Sequence, residues 1–334
     1  MRENRQILIE SLPQHQLQES NYKLVRTTVP DPGDGDVLCR TLAVAIAAGT
    51  RAGLQGSARY AGAPQTGVVM VGSGVARVEQ SNDASFAQGD LVVCRSGWQD
   101  YSVHSASALT PVAEGVDPAH YLGALGINGL TAYFGLLEVG RPVAGETVLV
   151  SAAAGSVGHL VGQIAKLKGC VTIGITRSDV KCRALTEQIG YDRSVCYRSP
   201  GFRAELKAAC PAGVDVYFDN TGGDILGNAL FRMNTHGRIA CCGAVSLYDT
   251  SWPAAGPKGI PGLLVNKRIR MEGFLIFDFS DRYAAARAEI RDWIESGALT
   301  PLQDEFSGLE SAPRAFVDLL AGGNLGTRVV RVAD

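Results

Sequence analysis

From Thr147 onward the chain alternates short apolar strands with amphipathic helices, and this alternation limits its fold more than any other feature. The first strand is predicted at Thr147–Ser151, and the following helix has apolar residues at three- and four-residue spacing from Val157 to Leu167. The same rhythm predicts strands at Val171–Ile175, Arg193–Tyr197, Val214–Asp219, Arg238–Cys242 and Arg270–Phe277, and helices at Asp179–Ile189, Phe202–Ala209, Asp224–Met233 and Tyr283–Ser296. Strands joined by helices of this length need right-handed crossovers, so the pattern predicts a parallel sheet covered by helices.

The first part of the chain, from Asn4 to about Tyr121, has a different pattern. Short β-type runs separated by turn residues predict strands at Asp36–Ile46, Thr66–Val71, Gly74–Glu79 and Asp90–Arg95. A last helix at Ala312–Leu320 and a strand at Thr327–Val332 are assigned to the same β-rich domain. The predicted division is therefore residues 1–121 with 297–334, and residues 122–296.

Composition narrows the class of protein. The 334 residues are enough for two domains, and 31 basic against 33 acidic residues leave no charge excess for binding nucleic acid. Apolar runs are shorter than the roughly 18 residues of a membrane span or contain a charge such as Arg40. Eight irregularly spaced cysteines indicate reduced thiols. We therefore expect a cytoplasmic protein with no membrane or nucleic-acid partner.

The turn after the first strand of the alternating region carries a nucleotide-binding pattern. Ala153, Gly155 and Gly158 occupy the three positions where small residues let a diphosphate approach the backbone and let helix pack on strand. Free amides at the helix N-terminus would hold the diphosphate. The alternative is a tight turn without a ligand.

The end of the second strand indicates which dinucleotide binds. An NAD enzyme usually has a carboxylate here, but Thr176 and Arg177 occupy the position and Lys181 follows one turn later. Arginine and lysine favour a phosphorylated ribose, and therefore NADP. Asp179 is interpreted as a helix N-cap. The alternative for Arg177 and Lys181 is a solvated surface.

Three further segments follow predicted strand ends, where ligands of open parallel sheets bind. They are Asp219–Gly223, Cys242–Tyr248 and Phe274–Ile276. Small residues such as Gly222 and Gly243 would let a flat nicotinamide ring lie against the backbone, although ordinary turn glycines remain an alternative.

Several segments together resemble one family. They are Gly97–Tyr101, Leu125–Leu136, Ser151–Gly158, Val161–Cys170, Tyr217–Gly223 and Gly323–Thr327. They are similar to the zinc-independent medium-chain dehydrogenases/reductases, and among these to the prostaglandin/leukotriene-type and curcumin-type enone reductases. The resemblance implies an α/β fold with a GroES-like β-rich domain joined to a Rossmann doubly wound parallel sheet domain. It also implies a homodimer that uses NADPH to reduce a carbon–carbon double bond conjugated to a carbonyl of a small molecule.

The resemblance also implies a set of cofactor contacts. They are Gly155, Ser156, Val157 and Gly158 at the diphosphate, Lys181 and Tyr197 at the adenosine phosphate, and Asn220, Cys242, Gly243, Ala244, Val245, Ser246, Leu247, Tyr248, Phe274, Leu275, Ile276 and Asn324 around the nicotinamide half. A plain sheet residue is the alternative for Tyr197, and a turn residue is the alternative for Asn324.

The chain departs from the family pattern in two places. Residues 65–72 lack the histidine and glutamate of zinc-binding relatives, and no CxxC spacing occurs, so we expect no metal. Where enone reductases usually read Asp-Pro-Tyr-Met-Arg, this chain reads Ala-Ala-Gly-Thr-Arg, which keeps Arg51 and replaces the pocket tyrosine by Gly49. Tyr60 matches another family motif. Gly49, Arg51 and Tyr60 are the predicted substrate-pocket residues, and loop packing is the alternative for Tyr60.

Without a metal, an enone must be activated by hydrogen bonds. Hydride addition to the β carbon moves negative charge to the carbonyl oxygen, and a donor aimed at that oxygen stabilises the transition state. Tyr248 is the predicted catalytic donor, since its phenol carries a proton at neutral pH, and the cofactor ribose hydroxyl would be a second donor. The alternative for Tyr248 is a residue of the pocket wall.

Three other functions remain open at this point. Hydride addition to a conjugated polyene could trigger reductive ring closure, for which Gly49 makes room. A quinone reductase would share every cofactor feature, and a non-catalytic NADPH-binding protein would bind without turnover. Arg270–Phe277 is a candidate edge strand for dimer pairing, with an internal strand as the alternative.

Overall fold

The computed structural model describes residues 2–249, 256–257 and 259–333, with the side chain of Tyr60 outside that description. The chain divides into two compact units, residues 1–123 with 303–334, and residues 124–302. The strands are β1 (Glu3–Ile9), β2 (Tyr22–Thr28), β3 (Asp36–Ile46), β4 (Gly74–Ser81), β5 (Leu91–Cys94), β6 (Tyr101–Ser105), β7 (Thr110–Pro111), β8 (Thr147–Val150), β9 (Val171–Thr176), β10 (Arg193–Cys196), β11 (Val214–Asp219), β12 (Met233–Cys241), β13 (Arg270–Gly273), β14 (Gln303–Ser307) and β15 (Thr327–Arg331). The α-helices are α1 (Gly49–Leu54), α2 (Ile127–Phe134), α3 (Gly158–Leu167), α4 (Asp179–Ala184), α5 (Phe202–Ala209), α6 (Gly223–Arg232), α7 (Ile260–Lys267), α8 (Tyr283–Glu295) and α9 (Ala312–Leu320). Two of these helices continue as π-helical turns, α2 over Gly135–Gly140 and α4 over Leu185–Ile189.

The second unit is built on a six-stranded parallel sheet in the order β10-β9-β8-β11-β12-β13. This is the strand order of the Rossmann fold. Successive strands are added on one side of the first strand, β8, and then on its other side, starting with β11. The central strand β8 is buried at every residue, because helices cover both faces of a parallel sheet. The predicted α/β class with a doubly wound parallel sheet is confirmed.

The first unit is β-rich. Its larger sheet runs β14-β15-β3-β4-β5-β7, with β6 added on β3, and β1 pairs with β2 in a separate ribbon. Strand β15 pairs antiparallel with β3, which places the C-terminal strand in this unit. Trp98 and Phe316 lie edge to face at 6.0 Å between ring centroids in its main apolar core.

The second break between the units lies at Leu302/Gln303, six residues beyond the expected start of the C-terminal segment at residue 297. Hydrogen bonds explain the difference. Thr300 and Gln163 exchange two of them, at 2.7 and 3.0 Å, and the Leu302 amide donates to His159. These bonds tie residues up to 302 to α3 and therefore to the second unit.

Two predicted strands are shorter or weaker than expected. The strand predicted at Arg270–Phe277 ends at Gly273, since a 3₁₀ turn begins at Ile276 and the Leu275 amide donates to Asp278. Thr66–Val71 forms only one isolated bridge, between Val69 and Leu8, within the described residues. Strand β13 pairs with β12 alone among the described residues, so it lies at an edge of the sheet.

Within the described ranges, no helix combines the length and the apolar character that a bilayer span requires.

Candidate active site

The turn from β8 into α3 is shaped by close backbone contacts. Ala152 adopts a left-handed conformation with φ of 47°, and the Gly155 amide donates to its carbonyl at 2.9 Å. A Cβ atom on Gly158 would collide with that same carbonyl oxygen and would lie 2.7 Å from the Ala153 Cα. A Cβ on Gly155 would lie 3.2 Å from the Ala152 oxygen. The backbone therefore requires glycine at 158, whereas a methyl group at 155 requires only a small shift of the loop.

Small residues also let α3 approach the sheet. A Cβ on Gly174 would lie 2.9 Å from the Ala153 Cβ, and a Cβ on Gly162 would collide with the Tyr191 ring. The Tyr191 hydroxyl donates to the Gly158 carbonyl at 2.7 Å. Ala153 is fully buried and its amide donates to Ile175 at 3.0 Å, so alanine at the first fingerprint position fits the turn.

A buried histidine, His159, connects the Gly155 carbonyl of this turn to the Leu302 amide. His159 Nδ1 lies 2.9 Å from the Gly155 carbonyl, and Nε2 accepts from the Leu302 amide at 3.1 Å. Because Nε2 accepts, the proton is on Nδ1 and is donated to Gly155. Burial lowers the pKa of His159 to about 4, so the ring is neutral at physiological pH. Sequence reasoning did not find this residue, because its partners are distant in the chain.

The ends of β9 and β10 bring together the residues predicted for the adenosine phosphate. The Tyr197 amide donates to the Thr176 carbonyl at 2.9 Å, which places Tyr197 beside Arg177, and both side chains are partly exposed. Lys181 is in the first turn of α4. The interpretation of Asp179 as the N-cap is wrong, since the Ser178 hydroxyl accepts from the Lys181 amide and Asp179 is the exposed first helical residue.

Asp219, at the end of β11, is the hydrogen-bonding centre of the region predicted to line the nicotinamide. It is 2 % exposed, and its Oδ1 accepts from the Tyr217 hydroxyl at 2.8 Å and from the Thr221 and Gly222 amides at 3.0 and 2.9 Å. Ser151 also donates to this oxygen, at 3.2 Å. These bonds satisfy a buried carboxylate and set the loop that follows β11.

Asn220 is held against the end of β8. Two hydrogen bonds to Ser151 fix its position. The Asn220 backbone N–H donates to Ser151 Oγ at 2.9 Å, and the side-chain Nδ2 donates to the Ser151 carbonyl at 2.8 Å. Its side-chain oxygen has no protein hydrogen-bond donor among the bonds of the described residues. Asp219 was predicted only as the start of the strand-end segment Asp219–Gly223, and Ser151 was not assigned a role at the site, although it directly follows an apolar strand.

The loop predicted to line the nicotinamide is bound to this same centre. The Cys242 and Gly243 amides donate to the Asp219 carbonyl at 2.9 and 3.1 Å, and the Val245 amide donates to Asn220 at 3.2 Å. Val245–Leu247 form a 3₁₀ turn that Tyr248 follows, and the Tyr248 side chain is half-buried. The structure therefore brings together Asn220 and the segment from Cys242 through Gly243, Ala244, Val245, Ser246 and Leu247 to Tyr248.

Cys242 is not a nucleophile in this setting. Burial, with a contribution from the charge of Asp219, raises the pKa of its thiol to about 12. It remains a neutral thiol at physiological pH. No group of three or more His, Cys, Asp or Glu side chains able to hold a metal occurs in the described part of the chain.

Phe274, Leu275 and Ile276 point in different directions. Phe274 packs edge to face on Phe218 at 6.3 Å between centroids, Leu275 is exposed, and Ile276 is buried beside Phe134. Only Leu275 presents a large exposed surface, and a role for all three at the nicotinamide stays a prediction.

The remaining predicted residues lie in the first unit. Asn324 is buried and its Nδ2 donates to the Gly326 carbonyl at 2.8 Å. Gly49 is the exposed first residue of α1, and a Cβ there would meet no atom within 4 Å. Arg51 is 2 % exposed and its Nη2 donates to the His15 carbonyl at 2.8 Å. The Tyr60 side chain lies outside the described residues.

Two known protein families match this chain. The family described as "N-terminal domain of oxidoreductase" matches residues 5–112, and the family described as "Zinc-binding dehydrogenase" matches residues 156–292. The chain is 38 % identical to the NADPH-dependent curcumin reductase of Escherichia coli, over 99 % of this chain and 97 % of the relative. It is 37 % identical to the NADP⁺-dependent 2-alkenal reductase of Nicotiana tabacum, over 99 % and 98 % of the two chains.

A solved structure gives the same result. The crystal structure of CurA from Vibrio vulnificus in complex with NADPH superposes with a TM-score of 0.94, at 36 % identity over 99 % of each chain. The fold, the glycine turn and the full-length similarity agree with one another. The chain belongs to the medium-chain dehydrogenase/reductase family, in its enone reductase branch.

Proposed function

We propose that this protein is an NADPH-dependent, metal-free oxidoreductase that delivers hydride to the β carbon of a carbon–carbon double bond conjugated to a carbonyl. The observation that carries the proposal is the group of loops at the carboxyl ends of the parallel strands. There a glycine turn, two cations and Tyr248 are all part of one unit. The named activities of the curcumin and alkenal reductases support the same reaction class.

The second unit has the features that NADPH requires. Gly158 lets the backbone at Ala152 and Ala153 pack directly against the start of α3, and a diphosphate would bind at this turn, at the N-terminus of α3. Arg177 and Lys181 would pair with the phosphate on the adenosine ribose, beside Tyr197. Asn220 would present its side-chain oxygen to the nicotinamide amide, since its Nδ2 is already used by Ser151. When bound, the cofactor supplies the hydride.

Tyr248 would hold the substrate carbonyl during the reaction. As hydride adds to the β carbon, the double-bond electrons move to the carbonyl oxygen, and the Tyr248 hydroxyl donates a hydrogen bond to the developing enolate. A proton then adds to the α carbon, so the product gains two hydrogens. The neutral Cys242 thiol next to this loop does not compete as a nucleophile.

The Tyr248→Phe variant tests this role. We expect hydride transfer to slow about 100-fold, as is usual when one oxyanion donor is lost, with an unchanged Kd for NADPH. Stopped-flow measurement of NADPH oxidation gives the rate, and cofactor fluorescence gives the Kd. Tyr133→Phe, which removes a tyrosine hydroxyl that donates to Glu289 outside this loop, is the control. A wild-type rate in Tyr248→Phe would remove Tyr248 from the mechanism.

Reductive cyclisation is a second candidate, favoured by the open space at Gly49. It differs from simple reduction only in the fate of the enolate, which would attack a second carbon of a conjugated polyene before it is protonated. Incubation with NADPH and a panel of enones, quinones and polyenes separates the possibilities by product mass and ring count. Quinol formation would indicate a quinone reductase, and tight NADPH binding without turnover would indicate a non-catalytic protein.

Strand β13 supports a further expectation of this proposal, that the protein is a homodimer. Among the described residues its outer edge has no partner strand, and an unpaired edge can pair with a second copy. Met271→Pro, which interrupts that edge, should convert a dimer to a monomer in light scattering.

A further inference from the structure

A second concave site lies at the amino ends of the parallel strands. The loops of the candidate active site lie at the other ends of these strands, the carboxyl ends. The cavity measures about 280 Å³ and is lined by Arg141, His236, Arg238, Arg268 and Arg270. Every lining side chain is basic or can become so. A cavity lined in this way concentrates positive potential, and like charges in one site repel each other.

Two strands place their arginines side by side. Arg238 and Arg270 are direct partners in the register of β12 and β13, a position where like charges are unfavourable. Both have structural partners, since they donate to the carbonyls of Gly140 and Val139 at the end of the helix that precedes β8. Glu146 binds Arg238 at 2.5 Å, and Glu272 lies 3.4 Å from Arg270 Nε. Helix capping therefore accounts for these two residues.

Arg141 and Arg268 differ from this pair in their backbone conformation. Each is the C-terminal cap of its helix in a left-handed conformation, with φ of 47° and 49°, where glycine is the usual residue. Each donates one hydrogen bond to a nearby carbonyl, Glu138 and Asn266 respectively. Neither has a carboxylate partner among the described residues. An exposed arginine in this backbone conformation costs stability relative to glycine.

His236 is the third lining residue with a positive φ, and a bulge in β12 brings it to the cavity. Val214 pairs with Met233 and Val216 with Arg238, so residues 234–237 lie opposite a single residue of β11. His236 has φ of 66° and is exposed at this bulge. Bulges of this kind redirect a side chain. Three of the five non-glycine residues with positive φ among those described thus line one cavity.

We propose that this cavity binds a small oxyanion with two or more negative charges, of the phosphate or diphosphate class. Two guanidinium groups without carboxylate partners, supported by two that hold their positions through helix carbonyls, match the geometry and charge of such an anion. The cavity volume is suited to a ligand of that size with a few waters. The site is separate from the cofactor loops, which lie at the carboxyl ends of the strands.

Binding of pyrophosphate to the full chain saturated with NADPH tests the proposal, because the cofactor then blocks the phosphate-binding loops of the active site. The ³¹P line width of pyrophosphate at low ionic strength reports binding. We expect saturable binding to the natural chain and at least tenfold weaker binding to the Arg141→Gly/Arg268→Gly variant. Glycine suits both backbone conformations, so this variant should melt no lower than the natural chain.

The matched control removes two exposed arginines of the first unit, Arg26→Gln/Arg314→Gln, and should bind pyrophosphate as the natural chain does. The proposal is overturned if the natural chain shows no saturable binding, if the glycine variant binds equally well, or if the control loses affinity to the same extent. Should the double glycine variant melt lower, Arg268→Gly alone carries the same comparison.

Discussion

Two glycines of this protein, Gly158 in the second unit and Gly49 in the first, are present for opposite reasons. At Gly158 the backbone leaves no space, since a Cβ would collide with the Ala152 carbonyl. At Gly49 a Cβ would meet nothing within 4 Å, and φ is ordinary. Packing dictates the first glycine and not the second. The turn after β8 is therefore fixed by the fold, whereas the fold leaves position 49 open to other side chains.

The strongest test of this contrast is Gly158→Ala. The added methyl group displaces the Ala152 carbonyl, and overpacking of this kind costs about 3 kcal/mol, so we expect loss of measurable NADPH binding in a fluorescence titration and a lower Tm. Gly155→Ala is the control, because its Cβ would lie 3.2 Å from the same oxygen and the loop need move only slightly. Equal NADPH affinities in the two variants would contradict the argument that Gly158 is dictated by the backbone.

The lowered pKa of buried His159 makes the free energy of unfolding depend on pH. The folded pKa of about 4 is below the unfolded value of 6.5, so the unfolded state binds a proton first as the pH falls. Stability from the neutral ring is complete above pH 6.5 and is lost down to about pH 4, with a loss of about 2 kcal/mol between pH 7 and pH 5.

Urea unfolding of the natural chain and of His159→Gln at these two pH values measures that loss. We expect the free energy of unfolding to fall by about 2 kcal/mol less in the variant. An equal fall in both proteins would show that His159 titrates as an exposed side chain does.

Replacing Lys181 should weaken NADPH binding less than Gly158→Ala does, because Lys181 is partly exposed and its charge is screened. We expect Lys181→Gln to raise the KM for NADPH about tenfold and to leave the KM for NADH unchanged, since only NADPH carries the additional phosphate. Lys207→Gln, an exposed lysine of α5, is the control. A parallel change for both cofactors would show that Lys181 does not read that phosphate.

The smallest effect on stability is expected at Gly49. Gly49→Tyr should change the free energy of unfolding by no more than about 0.5 kcal/mol, because the position is open, while kcat/KM falls for bulky enones relative to small alkenals. Gly53→Tyr on the same helix is the control, since a Cβ there lies 3.3 Å from the Ala61 Cβ and the ring should destabilise α1. An unchanged kcat/KM for all substrates would exclude Gly49 from the substrate pocket.

Periodic patterns in the sequence were enough to predict the sheet, but contacts between distant segments could not be predicted from them. Val214–Asp219 and Phe202–Ala209 were predicted with their observed bounds, because burial imposes a regular apolar spacing on such elements. The end of β13 was missed because Asp278, five residues later, captures the Leu275 amide.

The candidate site divides in the same way. The glycine turn and Lys181 follow from local spacing. The roles of Ser151, His159 and Asp219 depend on bonds to Asn220, Leu302 and the loop after β12, which no local pattern encodes. These residues become recognisable only when the strands are placed side by side.

The central claim, hydride delivery to the β carbon of a conjugated carbonyl compound, is tested most directly with NADPH that carries deuterium at the transferable position. The protein, treated with a chelator, is incubated with an enone, and the product is examined by mass spectrometry and NMR. We predict one deuterium at the β carbon of a saturated ketone. Deuterium at the carbinol carbon of an unsaturated alcohol would contradict the account.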